Sequence, residues 1–263
     1  MQENVTSDHA STATTRTART ALVTGGTTGL GHAIARRLQD AGHTVLVTWH
    51  AGHGKNIDDW ISTQKAQGYT FRAFPVDVSD YDSCQELARQ IQDAGYQVDI
   101  LINNAGITRD RTLRKMDKES WNAVLRTNLD SVFNMTVPFL DGMTERGWGR
   151  IVNISSVNGS KGQFGQANYA ASKAGIHGFT KSLALEVARK GVTVNTVSPG
   201  YLDTAMVAAV PKDVMETHIL SQIPVGRLGQ PDEVAALVQF ICSDDAGFMT
   251  GSNVAMNGGQ HMY

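Results

Sequence analysis

Tyr169 and Lys173 are the two residues whose types and spacing most directly suggest chemistry. They are four residues apart, so on a helix both side chains leave the same face. A lysine ammonium beside a phenol favours the phenolate and is expected to lower the tyrosine pKa from about 10, which would make Tyr169 a proton donor near neutral pH. The same spacing is also common in solvated surface pairs.

Ser156 adds a hydroxyl thirteen residues before Tyr169, just after the apolar run Ile151–Ile154. In a parallel sheet, residues at the carboxyl end of a strand face the cleft where ligands bind. Ser156 is therefore a candidate hydrogen-bond donor to a reacting oxygen. Its alternative role is to cap a helix or a turn.

A glycine-rich turn, Thr24–Gly31, directly follows the apolar run Ala21–Val23. Glycines in such a turn let the backbone approach a pyrophosphate at a helix N-terminus. The Gly-Lys-Ser/Thr ending of a nucleoside triphosphate loop is absent, because Leu30 follows Gly29. The turn predicts a dinucleotide site, with a tight turn that binds nothing as the alternative.

The elements that would position these residues alternate between β-branched runs and amphipathic segments, which is typical of strand-helix-strand units. The strand runs are apolar without alternation, so we expect helices on both faces. The sequence therefore predicts an α/β fold, a doubly wound parallel sheet of the Rossmann type with about seven strands. Strands are predicted at Ala21–Val23, Val45–Val47, Phe71–Phe74, Ile100–Ile102, Ile151–Ile154, Val192–Val197 and Val254–Met256.

Helices are predicted between the strands. The first has Leu30, Ile34 and Leu38 on one face and ends at Gly42. The segment from Pro199 to Pro224 has no strand pattern and is expected to form a mobile cover. Further helices are predicted at Asp80–Ala94, Lys118–Thr144, Tyr169–Lys190 and Pro231–Ser243.

Composition limits the class of protein. The chain has 263 residues, of which 41% are hydrophobic and 18% charged, which excludes global disorder, collagen and a coiled coil. Lys and Arg number 23 against 25 Asp and Glu, a net charge of -2. We therefore expect no nucleic-acid partner. No apolar run is long enough for a membrane span, so no membrane partner is expected either.

Cys84 and Cys242 are far apart and outside metal-ligand spacing, so we expect no disulfide framework, no metal site and a cytoplasmic protein. Residues 1–19 lack the apolar middle of a secretory signal and contain Glu3 and Asp8. A disordered tail is expected there rather than a transit peptide. Residues 20–263 are expected to form one Rossmann-type domain.

Several motifs occur together in a fixed order. They are Thr-Gly-x-x-x-Gly-x-Gly at Thr24–Gly31, Asn103–Gly106, Asn128, Ser156, Tyr169-x-x-x-Lys173 and Ser198–Gly200. In this combination they resemble the short-chain dehydrogenase/reductases. The resemblance covers about Thr20 to Tyr263 and implies a reductase domain.

Within that family the chain is most similar to 3-oxoacyl thioester reductases, in particular the acetoacetyl-CoA reductases of polyhydroxybutyrate synthesis. The likeness lies in Asn104–Asp110, Gly147–Gly159, Lys161–Gln166 and Asn257–Met262. The main alternative is a 3-oxoacyl-acyl-carrier-protein reductase of fatty acid synthesis. Thr28 stands where many of those reductases have arginine, which weakens this alternative slightly. A sugar or polyol dehydrogenase and a non-catalytic dinucleotide-binding protein are further alternatives.

The resemblance implies that Tyr169 protonates a ketone oxygen as hydride arrives from a reduced nicotinamide, while Ser156 hydrogen-bonds the same oxygen. Lys173 would also hold the ribose hydroxyls, and Asn128 would support a water-linked proton path to it. The implied cofactor-binding residues are Gly25, Thr27, Thr28, Gly29, Leu30, Gly31, Asp77, Val78, Asn104, Ala105, Gly106, Ile107, Thr108, Pro199, Gly200 and Thr204.

The end of the second strand predicts which cofactor binds. Enzymes that select NAD usually have an acid there, but this chain has Thr48, Trp49 and His50. A 2′-phosphate would instead meet His50, His53 and Lys55, so NADPH is the predicted cofactor.

On the substrate side, the predicted acyl-pocket residues are Asp110, Gln163, Phe164, Gln166 and Tyr201. Phe164 has ordinary core packing as its alternative, and no role is predicted for His261. A basic cluster is predicted to contact coenzyme A phosphates or an acidic carrier protein. Its alternative is a solvated helix start without a partner. The cluster consists of Arg109, Arg111, Arg114 and Lys115.

The resemblance also implies a homotetramer. The predicted long helices carry apolar residues beyond the one stripe that covers a sheet, which suggests a partner surface. Examples are Val124, Phe133, Phe139 and Phe179.

Overall fold

The computed structural model describes residues 18–54, 56–204 and 215–262, and of residue 53 only the backbone. The strands are β1 Thr20–Val23, β2 Thr44–Trp49, β3 Arg72–Pro75, β4 Ile100–Asn103, β5 Gly149–Ile154, β6 Val192–Pro199 and β7 Asn253–Met256. They form one seven-stranded sheet in the order β3-β2-β1-β4-β5-β6-β7. Every pairing is parallel, so the predicted Rossmann-type sheet is confirmed.

Helices lie on both faces of this sheet. They are α1 Gly29–Asp40, α2 Ile57–Ala66, α3 Tyr81–Asp93, α4 Lys118–Leu125, α5 Ser131–Glu145, α6 Val157–Lys161, α7 Ala167–Val187 and α8 Pro231–Ile241. The strand order reverses at β1, which pairs with both β2 and β4. Ligands of such sheets bind at the carboxyl ends of the strands beside this reversal.

The core has two parts, one on each sheet face, because successive strand residues point to opposite faces. On one face, Val23 of β1 packs in a cluster with Ile34 of α1 and Val238 of α8. On the other, Leu22 packs in a cluster with Met135 of α5 and residues of α3 and α7. Both clusters are buried, so the two layers hold the carboxyl edge of the sheet rigid.

The predicted helix Lys118–Thr144 is interrupted. A π-helical turn, Arg126–Asp130, separates α4 from α5 and contains Asn128. An extra residue in one turn changes the direction of a side chain relative to an unbroken helix, and apolar spacing over a long segment does not reveal it. The predicted extent is confirmed, since helical residues run from Lys118 to Glu145, but the π-helical turn within it was not predicted.

For three of the four apolar residues that suggested a partner surface, the structure contradicts the prediction. Val124 and Phe139 are buried in this chain, and Phe179 packs against the core. Phe133 is 51% exposed and stacks on Tyr81 with ring centroids 6.1 Å apart. Of the four, only Phe133 presents a large apolar surface.

Several predictions fall on residues that the structure does not describe. These are the tail up to residue 17, Lys55, the side chain of His53 and residues 205–214 of the predicted cover. The described end of that cover is helical over Met215–Ile219 and Leu220–Gln222. In the part of the chain that is described, no helix has the length and apolar character needed to cross a membrane.

Candidate active site

The glycine-rich turn forms a cradle at the start of α1. Gly25 has a φ of +62°, in the left-handed region that favours glycine. A Cβ on Gly31 would lie 2.5 Å from Asn104 Nδ2 and closer still to the carbonyl oxygen of Gly25. Glycine is therefore required for β1, α1 and the loop after β4 to come this close.

The N-terminus of α1 suits an anion. Among the described residues, its first turn has no acidic side chain, and Thr28 at the N-cap makes no side-chain capping hydrogen bond. The first N–H groups and the positive end of the helix dipole therefore face the turn. A dinucleotide pyrophosphate fits this arrangement.

Thr24 joins the cradle to the loop after β4. Its Oγ1 accepts hydrogen bonds from the N–H groups of Asn104 (2.9 Å) and Ala105 (3.0 Å), and donates to the Ile102 carbonyl (3.2 Å). Asn104 Nδ2 donates to the Thr24 carbonyl (2.9 Å). The side chain of Asn104 thus braces the glycine-rich turn.

At the end of β2, Thr48 and His50 do different things. Thr48 Oγ1 accepts a hydrogen bond from the Gly25 N–H (3.2 Å) and supports the cradle. His50 Nε2 lies 3.9 Å from the Asp77 carboxylate, and both side chains are about half exposed, at 48% and 49%. His50, which is predicted to meet the 2′-phosphate, therefore lies beside Asp77, another predicted cofactor-binding residue.

Asp77 is held as a carboxylate. Burial would raise its pKa, but hydrogen bonds from the hydroxyl and N–H of Ser79 and the nearby charges of His50 and Arg126 keep the pKa below its usual value. The next residue, Val78, is buried and its carbonyl accepts from Asn134 Nδ2 (3.0 Å). This turn is thereby fixed to α5.

Asn128, in the π-helical turn, holds the loop after β4. Its Oδ1 accepts from the Ile107 N–H (2.8 Å) and its Nδ2 donates to the Ile107 carbonyl (2.9 Å). Nδ2 also donates to Ser172 Oγ on α7 (3.3 Å). A Cβ on Gly106 would lie 3.2 Å from Asn128 Oδ1 and 3.5 Å from Lys173 Nζ, so Gly106 leaves room between these groups.

Lys173 is buried, with 4% of its surface exposed. Its Nζ donates to the Ile154 carbonyl at the end of β5 (2.8 Å), and its own carbonyl accepts from Ser155 Oγ (2.8 Å). Burial penalises the charged form and lowers the pKa of Lys173 to about 8. The ammonium is therefore fixed in place and titrates close to neutral pH.

The side chains of Tyr169 and Ser156 form a hydrogen bond. Burial raises the pKa of Tyr169, the bond with Ser156 opposes this, and Asp110 and Tyr201 raise it further. The predicted lowering of this pKa by Lys173 is wrong, because burial outweighs other effects and Lys173 Nζ lies 5.7 Å from the ring centroid. A raised pKa keeps the phenol protonated, the form that donates.

The predicted substrate side is partly linked by hydrogen bonds. Gln166 Nε2 donates to Asp110 Oδ2 (2.7 Å), and Gln166 Oε1 accepts from Asn158 Nδ2 (2.9 Å). Gln163 accepts from Lys161 Nζ (3.1 Å). Two of the five predicted pocket residues, Asp110 and Gln166, are thus in direct contact.

The remaining two predicted pocket residues are Tyr201 and Phe164. Burial and the charge of Asp110 raise the pKa of Tyr201, so these two side chains lie near each other. Phe164 is 87% exposed, so the alternative prediction that it packs in the core is wrong. Its part in the acyl pocket stays a prediction.

The remaining predicted residues lie around the cleft. Gly200 packs closely on Asn257, where a Cβ would lie 2.8 Å from the Asn257 Cα. Thr204 is the last residue before an undescribed segment, and the carbonyl of His261 accepts from Asn257 Nδ2 (2.9 Å). The basic cluster is exposed throughout: Arg109, Arg111, Arg114 and Lys115.

Sequence reasoning gave no role to three residues that hold the site together, Thr24, Asn158 and Asn168. Thr24 opens the glycine motif, so its position was visible in the sequence while its hydrogen bonds were not. Asn158 and Asn168 lie within two residues of Ser156 and Tyr169. That proximity to candidate catalytic residues is the signal that could have found them.

Comparison with known proteins agrees with this geometry. Residues 19–215 match the family model described as short chain dehydrogenase. The chain is 51% identical over 246 residues to an acetoacetyl-CoA reductase of Allochromatium vinosum, covering 94% of this chain and all of the relative (100%). It is 52% identical over 249 residues to that of Cupriavidus necator, covering 94% and 99%.

A third relative is named for a different substrate. The 3-oxoacyl-[acyl-carrier-protein] reductase of Vibrio cholerae is 44% identical over 245 residues, covering 93% of this chain and 98% of that protein. The match of the family model, the high identity to these relatives and the arrangement of Ser156, Tyr169 and Lys173 agree. The chain belongs to the short chain dehydrogenase family.

Proposed function

We propose that this protein is an NADPH-dependent reductase that converts acetoacetyl-CoA to (R)-3-hydroxybutyryl-CoA. The observation that carries the proposal is the identity of 51% and 52% to two acetoacetyl-CoA reductases over 94% of this chain. The cleft contains the groups that a ketone reduction needs. A cytoplasmic role in polyhydroxybutyrate synthesis is part of the same proposal.

The nicotinamide cofactor supplies the hydride when it is bound. Tyr169 holds its proton because burial raises the pKa of the phenol, and it donates that proton to the ketone oxygen. Ser156 Oγ accepts from the Asn158 N–H (3.2 Å), which orients the hydroxyl. Both donors act where negative charge develops, so they stabilise the transition state more than the neutral ketone.

Lys173 and Asn128 support the proton donor. With a pKa of about 8, Lys173 can pass a proton toward Tyr169 after the phenol has donated its own. In the same position its ammonium is suited to hold ribose hydroxyls. Asn128 fixes Ile107 on both its N–H and its carbonyl, which keeps the space beside Lys173 open for a water-linked proton path.

NADPH, rather than NADH, is proposed because no acid is present among Thr48 and Trp49 at the end of β2 and His50 directly after it. Catalytic efficiency with the two cofactors tests this, and equal or better efficiency with NADH would contradict it. A homotetramer is also proposed, supported by the exposed Phe133 and Tyr81, at 51% and 43%. Sedimentation that shows only a 28.4 kDa species at micromolar concentration would refute it.

The 3-oxoacyl-[acyl-carrier-protein] reductase function is the second candidate, favoured by the 44% identical Vibrio cholerae relative. Steady-state rates on acetoacetyl-CoA and on an acetoacetyl carrier protein decide between them. We expect higher kcat/KM with acetoacetyl-CoA. A higher value with the carrier protein would favour the second candidate, and no thioester reduction at all would contradict both.

The exposed basic cluster provides a second test of the coenzyme A proposal. Replacing Arg111 and Arg114 by alanine should raise the KM for acetoacetyl-CoA several-fold, because charge-assisted contacts to phosphates are lost. The KM for an acetoacetyl thioester of N-acetylcysteamine, which lacks those phosphates, should not change. Arg89→Ala is the matched control, since Arg89 is exposed and pairs with Glu86 on α3.

A further inference from the structure

Asn168 immediately precedes Tyr169 and is fully buried, at 0% exposure. Its Nδ2 donates to the carbonyls of Arg109 (3.1 Å) and Ser120 (3.3 Å). Its Oδ1 accepts from the Tyr169 N–H (2.8 Å). One amide therefore joins the start of α7, the loop after β4 and the first turn of α4.

The loop Asn104–Asp110 borders both the proposed cofactor position and the acyl pocket. Asn128 holds it at Ile107 through two hydrogen bonds. Beyond that point the loop is held by Asn168, two residues later, and by the contact of Gln166 with Asp110. The N–H of Arg111 also donates to the Gly165 carbonyl (2.8 Å). Of the residues that make these contacts, Asn168 is the one that also bonds to the N–H of Tyr169.

The position of this loop end matters for the reaction. Asp110 bears a negative charge that contributes to the raised pKa of Tyr169. If the loop end moved outward, the charge would act on the phenol less strongly, and the cleft that presents the ketone would widen. Misplacement of a reacting group by about 1 Å can reduce a rate by about 100-fold.

We propose that Asn168 is a positioning residue that fixes the loop Asn104–Asp110 against α7 and so sets how the ketone of the substrate is presented to Tyr169. This inference rests on the proposed reductase function. Because Asn168 is fully buried, it acts through the Arg109 carbonyl and the Tyr169 N–H.

A matched control exists in β6. Asn195 is also 0% exposed, and its amide joins two segments in the same manner. Its Nδ2 donates to the Met249 carbonyl (2.8 Å) and its Oδ1 accepts from the Ser252 N–H (3.1 Å). Loss of either amide removes part-buried hydrogen bonds to the backbone and lowers stability, but of the two only Asn168 contacts α7 and the loop after β4.

The experiment compares Asn168→Ala and Asn195→Ala by thermal unfolding, NADPH binding and steady-state kinetics on acetoacetyl-CoA. We expect the Tm of both variants to be lower than that of the wild type, and the Kd for NADPH to change less than about twofold. Asn168→Ala should also lose at least about 10-fold in kcat/KM. Its pH profile should shift to lower pH, because Asp110 no longer raises the pKa of Tyr169 as strongly. Asn195→Ala should retain the wild-type kcat, KM and pH profile.

The proposal is overturned if Asn168→Ala matches Asn195→Ala in kcat, KM and pH profile. If Asn168→Ala does not fold, Asn168→Ser, which retains one small donor, takes its place. Failure of both variants to fold would assign Asn168 to folding alone and would also overturn the proposal. If the wild type and Asn195→Ala bind NADPH but do not reduce acetoacetyl-CoA, it is the proposed function that fails.

Discussion

Two regions of the carboxyl edge of the sheet are built in different ways. In the proposed catalytic region, after β4 and β5, Asn128 and Lys173 are 1% and 4% exposed, and both are fixed by hydrogen bonds to backbone carbonyls. In the region that we propose for the adenosine end of the cofactor, after β2 and β3, the side chains of His50 and Asp77 are 48% and 49% exposed.

The difference follows from what each region has to do. Proton transfer needs reacting groups fixed in one geometry, and buried hydrogen bonds supply that. Recognition of a 2′-phosphate needs only positive charge nearby, which exposed side chains supply at a small free-energy cost. Substitutions in the catalytic region should therefore have large effects, and those after β2 small ones.

Lys173→Ala should cause the largest loss. It removes the cationic group that lies beside Tyr169, 5.7 Å from the ring centroid, together with its bond to the Ile154 carbonyl. We expect kcat on acetoacetyl-CoA to fall by more than about 100-fold, and NADPH affinity to fall as well. Binding titrations beside steady-state kinetics check this, and unchanged NADPH affinity would remove Lys173 from the cofactor site.

Gly31→Ala tests the cradle, which lies between the two regions. A Cβ there would overlap Asn104 and the Gly25 carbonyl, so we expect about 2 kcal/mol less free energy of unfolding and weaker NADPH binding. Gly178→Ala in α7 is the control, because a Cβ there has nothing within 4 Å. Equal stability and equal NADPH affinity in the two variants would contradict the close packing of the cradle.

Burial of the Lys173 ammonium should also make the free energy of unfolding depend on pH. Its folded pKa of about 8 lies below the unfolded value of about 10.4, so the unfolded chain binds more protons between these values and stability rises with pH there. Without cofactor, the free energy of unfolding of the wild type should rise by roughly 2 kcal/mol from pH 7.5 to 9.5 relative to Lys173→Met. Parallel pH curves for the two proteins would contradict this.

His50→Ala should have the smallest effect. An exposed polar or ionic contact contributes about 1 kcal/mol or less, so we expect kcat/KM with NADPH to fall by about fivefold or less and kcat/KM with NADH to stay the same. Kinetics with both cofactors measure it. An equal fall with both cofactors would show that His50 supports the adenosine site in general instead of the 2′-phosphate.

The sequence predicts the seven strands and the candidate catalytic residues because each has a local signature. Apolar runs mark buried strands, and the spacing of Tyr169 and Lys173 places both on one helix face. The π-helical turn around Asn128 and the raised pKa of Tyr169 have no such signature, because both arise from tertiary packing. The roles of Thr24 and Asn168 were missed for the same reason, since their hydrogen bonds join segments distant in the chain.

The central claim is that Tyr169 donates the proton to a 3-oxoacyl thioester, and kcat of Tyr169→Phe on acetoacetyl-CoA tests it most directly. The substitution removes the hydroxyl but keeps the ring, so NADPH binding should survive. General acid catalysis contributes about 10²–10⁴-fold, and kcat should therefore fall by at least about 100-fold. A variant that keeps more than about a tenth of the wild-type kcat would contradict the claim, because another group would then deliver the proton.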